Sequence, residues 1–176
     1  MAPAQTTVVV VFSSRCGATE ALALAAAVGA VQGRALIRLR RLPDEGAPPA
    51  DQDSPECRNA LTRMRKEYVP PTEADVAGND ALILAPPAGS STGSKEWVAF
   101  LDTLARLGSA GKLAGKVGAV IDAGDEETLR AFSSLIASVG FRSALPETQP
   151  APPGDLRQRA TACGRRVAAG AGSSAG

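Results

Sequence analysis

The chain alternates between short apolar runs and longer segments in which apolar residues recur every three or four positions. "TTVVVVF" opens the pattern: Val8 to Phe12 is a continuous β-branched and aromatic run, the signature of a strand covered on both faces. "CGATEALALAAAVGAVQG" follows with strong helix formers, and Leu22, Leu24, Val28 and Val31 are its expected buried positions, with Gly33 as a stop. In "RALIRLRRL", Ile37 and Leu39 alternate with Arg38 and Arg40, as in an edge strand with one wet face.

From Pro43 to Pro55 the chain is polar and broken by proline, which predicts a loop. "SPECRNALTRMRKEY" predicts a surface helix capped by Ser54, with Pro55 in its first turn. Leu61, Met64 and Tyr68 face inward on that helix, and Arg58, Arg63, Arg65 and Lys66 form a solvated face. "DALILA" reads as a second interior strand. The next helix carries Trp97, Phe100, Leu101 and Leu104 on one side, Trp97 as a core residue and Ser94 at its N-cap. "KVGAVIDAG" is a third apolar strand, and Leu129, Phe132, Leu135, Ile136 and Val139 align on the helix after it. "FRSALPE" supplies the last strand and "GDLRQRATACGRRVAAG" the last helix, while the tail "AGAGSSAG" has little to pack with.

Strands regularly separated by helices imply an α/β fold with a five-stranded parallel sheet covered on both faces. The expected organisation is one doubly wound domain over residues 7–170, with flexible ends at 1–6 and 171–176. Its crevice should lie at the C-terminal ends of the strands, where the sequence places "SSRCGAT", "APPAGSSTGS" and "DAGDEE".

Composition narrows the chemistry. With 176 residues and 44% hydrophobic content, one core is enough. A formal net charge of +1 offers no broad field for nucleic acid or anionic lipid, and 3% aromatic content argues against a base-stacking platform. Histidine is absent, which excludes imidazole catalysis and histidine metal sites. The three cysteines, Cys16, Cys57 and Cys163, are odd in number and widely spaced, so they read as free thiols in a reducing compartment. No basic region precedes the first apolar run, and the run is far too short to span a bilayer; the expectation is a cytoplasmic protein without membrane insertion.

The first loop has the equipment for a phosphate. Ser14 and Thr19 offer hydroxyls, Gly17 permits a tight turn, and the following helix start presents free N–H groups and a positive dipole end. The same residues would also serve as an ordinary strand-to-helix connection. In the second loop Gly89 and Gly93 allow close backbone approach, and Ser90, Ser91, Thr92 and Ser94 offer hydroxyls. Cys16 is either a thiolate favoured by the helix start or a small packed side chain. Leu22 stands where a cysteine phosphatase would need arginine, and Ser94 where a nucleotide P-loop would need lysine. Glu20, Asp122, Asp125, Glu126 and Glu127 have no spacing that marks a metal site.

The segments "VVVVFSSRCGATEALA", "NDALILAPPAG", "VAFLDTLARLGSAGKLAGKVGAV" and "PPGDLRQRATACGRRVAAG" resemble the flavodoxin-like superfamily, specifically its tryptophan-repressor-binding-protein type of NAD(P)H:quinone oxidoreductase. The resemblance runs from about Thr7 to Gly170 and is most specific in "FLD" followed by "KLAGKVGAV". It implies strand order 2-1-3-4-5 and FMN binding. The phosphate would sit on Ser14, Arg15, Cys16, Gly17, Ala18 and Thr19. Pro86, Pro87, Ala88, Gly89, Ser90 and Ser91 would run along the isoalloxazine, and Asp122, Ala123 and Gly124, continuing to Glu126, would close over the ring. It further implies a homo-oligomer, dimer or tetramer, passing electrons from NAD(P)H to a quinone, with the flavin doing the redox chemistry. The chain departs from the pattern at "PPAGSS", which lacks the usual arginine and ring-contacting aromatic, and at the short acidic "DAGDEE". Those departures leave a second expectation beside the enzyme: a flavodoxin-fold protein without tight FMN binding, acting through protein contacts.

Overall fold

The computed structural model describes residues 4–144 and 154–173. Strands β1 (Thr7–Phe12), β2 (Leu36–Arg41), β3 (Ala81–Ala85), β4 (Val117–Val120) and β5 (Arg142–Ser143) form one parallel sheet in the order β2-β1-β3-β4-β5. The predicted doubly wound order is the observed one, and β2 lies at an edge. Of the expected last strand only Arg142 and Ser143 pair with β4, and its residues from Leu145 on lie outside the described residues.

Among the described residues the α-helices are α1 (Ala18–Gln32), α2 (Pro55–Glu67), α3 (Glu73–Ala77), α4 (Lys95–Ser109) and α5 (Glu126–Ser138), which lie between strands, and α6 (Leu156–Gly172), which follows the last one. Ser54 caps α2 as expected, its hydroxyl accepting from the Cys57 N–H, and Pro55 occupies the first turn. The single-turn α3 was not anticipated; Thr72 and Asp75 start it with a reciprocal capping box. Asp75 also takes Arg38 and Arg40 from β2, so the side of the edge strand expected to be wet is partly covered by a carboxylate. Burial opposes the charge on Asp75, but hydrogen bonds from Arg40 and Thr72 outweigh it and hold the carboxyl below the usual range. α6 reaches Gly172 with Ala171 buried, two residues into the expected tail.

The alternation along β1 divides the core into two layers. Val9 and Val11 face a bulky layer with Trp97, Phe100 and Leu104 of α4 and Phe132 and Ile136 of α5, as the periodicity of those helices predicted. Val8, Val10 and Phe12 face a thin layer dominated by alanines of α1 and α6. There the two helices meet at glycine: a Cβ on Gly29 would lie 1.9 Å from the Thr161 carbonyl oxygen, and one on Gly164 would lie 1.9 Å from that of Ala26. This contact corrects the expected burial of α1. The helix must fit between the sheet and α6, so it buries Ala23, Ala26, Ala27, Gly29 and Ala30; Leu24, Val28 and Val31 are 41–55% exposed, and Leu22 is only partly buried.

Candidate functional site

β1 ends at Phe12, and the chain turns into α1 through Ser14–Gly17 at the C-terminal edge of the sheet. Gly17 adopts φ 99°, a left-handed conformation that costs any residue with a Cβ. Its N–H donates to the Ser14 hydroxyl at 3.1 Å, so buried Ser14 holds the turn together. Gly17 is the N-cap of α1, and no side chain caps that helix. A cavity of about 380 Å³ lies against this turn, lined by Ser13 to Cys16, Ala18 and Thr19, by the segment from Pro43 to Pro48, and by Pro87 and Glu96.

The turn is braced from α2. Cys16 and Cys57, 41 positions apart, form a disulfide, and only Cys163 is a free cysteine. The expectation of three free thiols is therefore corrected: the crossover through β2 brings the first turn of α2 beside the first loop, which sequence spacing does not reveal. Burial pushes the Cys163 thiol up to about 12. Cys16 itself is exposed, whereas Cys57 is buried.

The basic residues of α2 are exposed, as expected, but Arg63 and Arg65 also make ion pairs with other elements. Arg63 donates to both oxygens of buried Glu20, at 2.8 and 2.6 Å, and to Glu67 at 2.7 Å. The Tyr68 hydroxyl donates to Glu20 at 2.7 Å, and its ring packs edge-on against Phe12. The Arg63 hydrogen bond is the leading cause that holds the Glu20 carboxyl below its usual range, against the opposing effect of burial. Tyr68 is pushed up to about 12 by burial and by its bond to Glu20. Arg65 donates to Asp44 at 2.8 Å, and Arg41 pairs with Asp44 while donating to the Ser14 carbonyl at 2.8 and 3.2 Å. Burial would raise the Asp44 carboxyl, but the two arginines outweigh it and lower it. Arg15, expected at the phosphate, pairs with Asp53 at 2.7 Å and donates to the Pro48 and Pro49 carbonyls.

The second and third loops meet each other. The Gly89 N–H donates to Asp125 Oδ2 at 2.7 Å, and the Thr128 hydroxyl donates to the Ser90 carbonyl at 3.0 Å. Asp125 also caps α5 through the N–H groups of Glu127 and Thr128. Thr128 and Gly89 donating to Asp125 hold its carboxyl below the usual range. Asp122 accepts from the Gly124 N–H at 2.8 Å and pairs with Arg159 of α6 at 3.0 Å. Ser94 stands at the N-cap of α4, but its hydroxyl accepts from the Ser91 N–H instead of capping the helix.

The structure thus gathers Ser14 to Cys16, Ala18, Thr19 and Pro87 around one cavity. It leaves Ala88 and Gly89 exposed and Ser90 tied to α5, and it places Asp122, Ala123 and Gly124 outside that cavity's lining. Asp44, Glu45 and Glu96, none of them expected at the site, join it. The signal for the first two was available, because "PDEG" follows the C-terminal end of a strand just as the three nominated loops do. Among the described residues Glu20, Asp44 and Asp53 each hold an arginine, while Glu45 and Glu96 hold none. An anion entering the cavity therefore meets the positive end of α1 in front of two uncompensated carboxylates.

No family model matches the chain. NAD(P)H dehydrogenase (quinone) 3 of Rhizobium meliloti is 30% identical over 142 residues, covering 77% of this chain and 64% of that protein. Among solved structures, a short-chain flavodoxin associated with a non-canonical PDU bacterial microcompartment superposes with a TM-score of 0.60 at 16% identity, covering 98% of this chain and all of that one. A WrbA-like flavodoxin from Agrobacterium tumefaciens gives 0.59 at 21% identity over 95% of this chain and 98% of its own.

Proposed function

The chain has a flavodoxin-like fold, and on that premise we propose that it is an FMN-dependent oxidoreductase carrying electrons from NAD(P)H to a quinone or similar acceptor. One observation carries the reading: the cavity at the uncapped start of α1 lies at the carboxyl ends of β1 and β3, where the strand order reverses. A helix start with no side-chain acceptor and a left-handed glycine suits a phosphate. Backbone N–H groups of the first turn and the Thr19 hydroxyl would hold it, with Ser14 keeping the turn in shape. The name of the Rhizobium meliloti relative supports the donor and acceptor classes. When bound, FMN would supply the two-electron chemistry, and the protein its position and electrostatics.

FMN binding followed by fluorescence quenching tests this, with riboflavin as the ligand that lacks phosphate. FMN should bind more tightly than riboflavin, and Gly17→Val should weaken FMN by roughly five- to thirtyfold, since a left-handed Cβ costs on the order of 1–2 kcal/mol. An unchanged FMN affinity in that variant overturns the phosphate assignment. Quinone-dependent oxidation of NADH or NADPH by the FMN-loaded protein then tests the reaction.

A second reading, a flavodoxin-fold protein that works through protein contacts, is favoured by a different observation. The Gly89–Asp125 and Thr128–Ser90 bonds join the two loops that the family resemblance assigns to the ring. A ring inserted between them must break both bonds. No FMN binding at high micromolar concentration would decide for this reading.

A further inference from the structure

The Cys16–Cys57 disulfide is placed asymmetrically. Cys16 is exposed and lines the 380 Å³ cavity, whereas Cys57 is 6% exposed and sits at the third position of α2. A thiol arriving from solvent therefore meets the Cys16 sulfur first, and the sulfur it displaces lies at the start of a helix. A thiolate is favoured there by the positive end of the helix dipole, so Cys57 is a good leaving group. The surroundings also allow the bond to open without dismantling the turn. Non-covalent contacts remain on both sides of it: Arg63 and Tyr68 hold Glu20 of α1, Arg15 of the first loop holds Asp53, and Arg65 and Arg41 share Asp44 while Arg41 reaches the Ser14 carbonyl. Cys163 is buried with its thiol pushed up to about 12, which keeps it out of exchange.

We infer that Cys16–Cys57 is a thiol-exchange redox centre in the wall of the cavity, reduced by small thiols or dithiols through attack on Cys16. In the first step a thiolate bonds to the Cys16 sulfur, the S–S bond breaks, and its electron pair leaves on Cys57, which takes up a proton. In the second, another thiolate attacks the external sulfur of the mixed disulfide, forming the external disulfide and releasing Cys16 to be protonated. Two thiols are oxidised to one disulfide, and the protein takes up two electrons and two protons. The exchange itself needs no flavin, so the inference stands apart from the cofactor reading.

The test counts thiols in the full-length protein with a chromogenic disulfide reagent. After equilibration with oxidised glutathione, the denatured wild type should show one thiol, that of Cys163. Millimolar reduced glutathione or dithiothreitol, applied under native conditions and quenched by acid, should raise the count to all three cysteines within minutes. Cys57→Ser treated with oxidised glutathione should carry one adduct, mapped to Cys16 by peptide mass. Three thiols persisting after oxidised glutathione would show that the pair does not form. A bond that resists native thiols and yields only after unfolding would make it a structural staple, and an adduct on Cys57 in Cys16→Ser matching that on Cys16 in Cys57→Ser would remove the asymmetry. Each of these results overturns the inference, and the wild-type count decides even where a variant does not fold.

Discussion

The first turns of α1 and α5 leave the same edge of the sheet, yet they handle their free N–H groups in opposite ways. α5 is self-contained: Asp125 accepts from Glu127 and Thr128 within its own helix and reaches across to Gly89. α1 has no capping side chain, and what steadies it comes from α2 and from the loop before it. One helix start carries its own anion; the other is held in shape from behind, with a cavity against its front. An uncapped start that is nonetheless braced is prepared for an acceptor from outside, whereas a self-capped start has no such need.

Severing the braces should cost far more than removing the cap. Replacing both Cys16 and Cys57 by serine releases a loop closed over 41 positions, and chain entropy puts the loss at about 4 kcal/mol in urea unfolding. A loss under about 1 kcal/mol would mean that the bond does not constrain the unfolded chain. Glu20→Gln comes next, at about 2 kcal/mol: the carboxylate is nearly buried, but Arg63 is 44% exposed and regains water. The folded Glu20 carboxyl lies below its ordinary value of 4.5, so its charge stabilises the fold fully above that value, and the contribution is lost as pH falls through the folded one. The stability gap between wild type and Glu20→Gln should therefore shrink on acidification, and a gap that stays constant would contradict the charged pairing.

The contrast also marks what the sequence could disclose. Five parallel strands were legible because short strand-like runs are separated by helix-period segments, whereas their order came only with the family resemblance. The first loop was legible because Ser14, Gly17 and Thr19 lie where a strand hands over to a helix. Its braces were not, since Cys57, Arg63 and Tyr68 reach it only once the chain has crossed through β2 and returned. The inner face of α1 was misread for a related reason. Its leucine-valine stripe and its alanine-glycine stripe are both apolar, and only the close approach of α6 at Gly29 and Gly164 selects the small one. The latch between the second and third loops depends on a backbone N–H, that of Gly89, which has no signature in residue type.

The smallest expected effect on stability tests the other side of the comparison. Asp125→Ala removes the cap of α5, with a small loss of stability in urea unfolding, and deprives Gly89 and Thr128 of their acceptor. If the latch stands where a flavin ring would enter, FMN and riboflavin should both bind more tightly to the variant, because they share the ring. If the gain came instead from removing a negative charge, FMN alone would benefit, since riboflavin carries no phosphate for Asp125 to repel. Paired titrations of the two ligands separate these cases, and beside Gly17→Val they locate each loop: the first-loop variant should weaken FMN selectively, and the third-loop variant should favour both ligands together. A loss of affinity for both in Asp125→Ala would instead make Asp125 one of the groups that hold the ring, and the self-capped start of α5 would become part of the site rather than its closed neighbour.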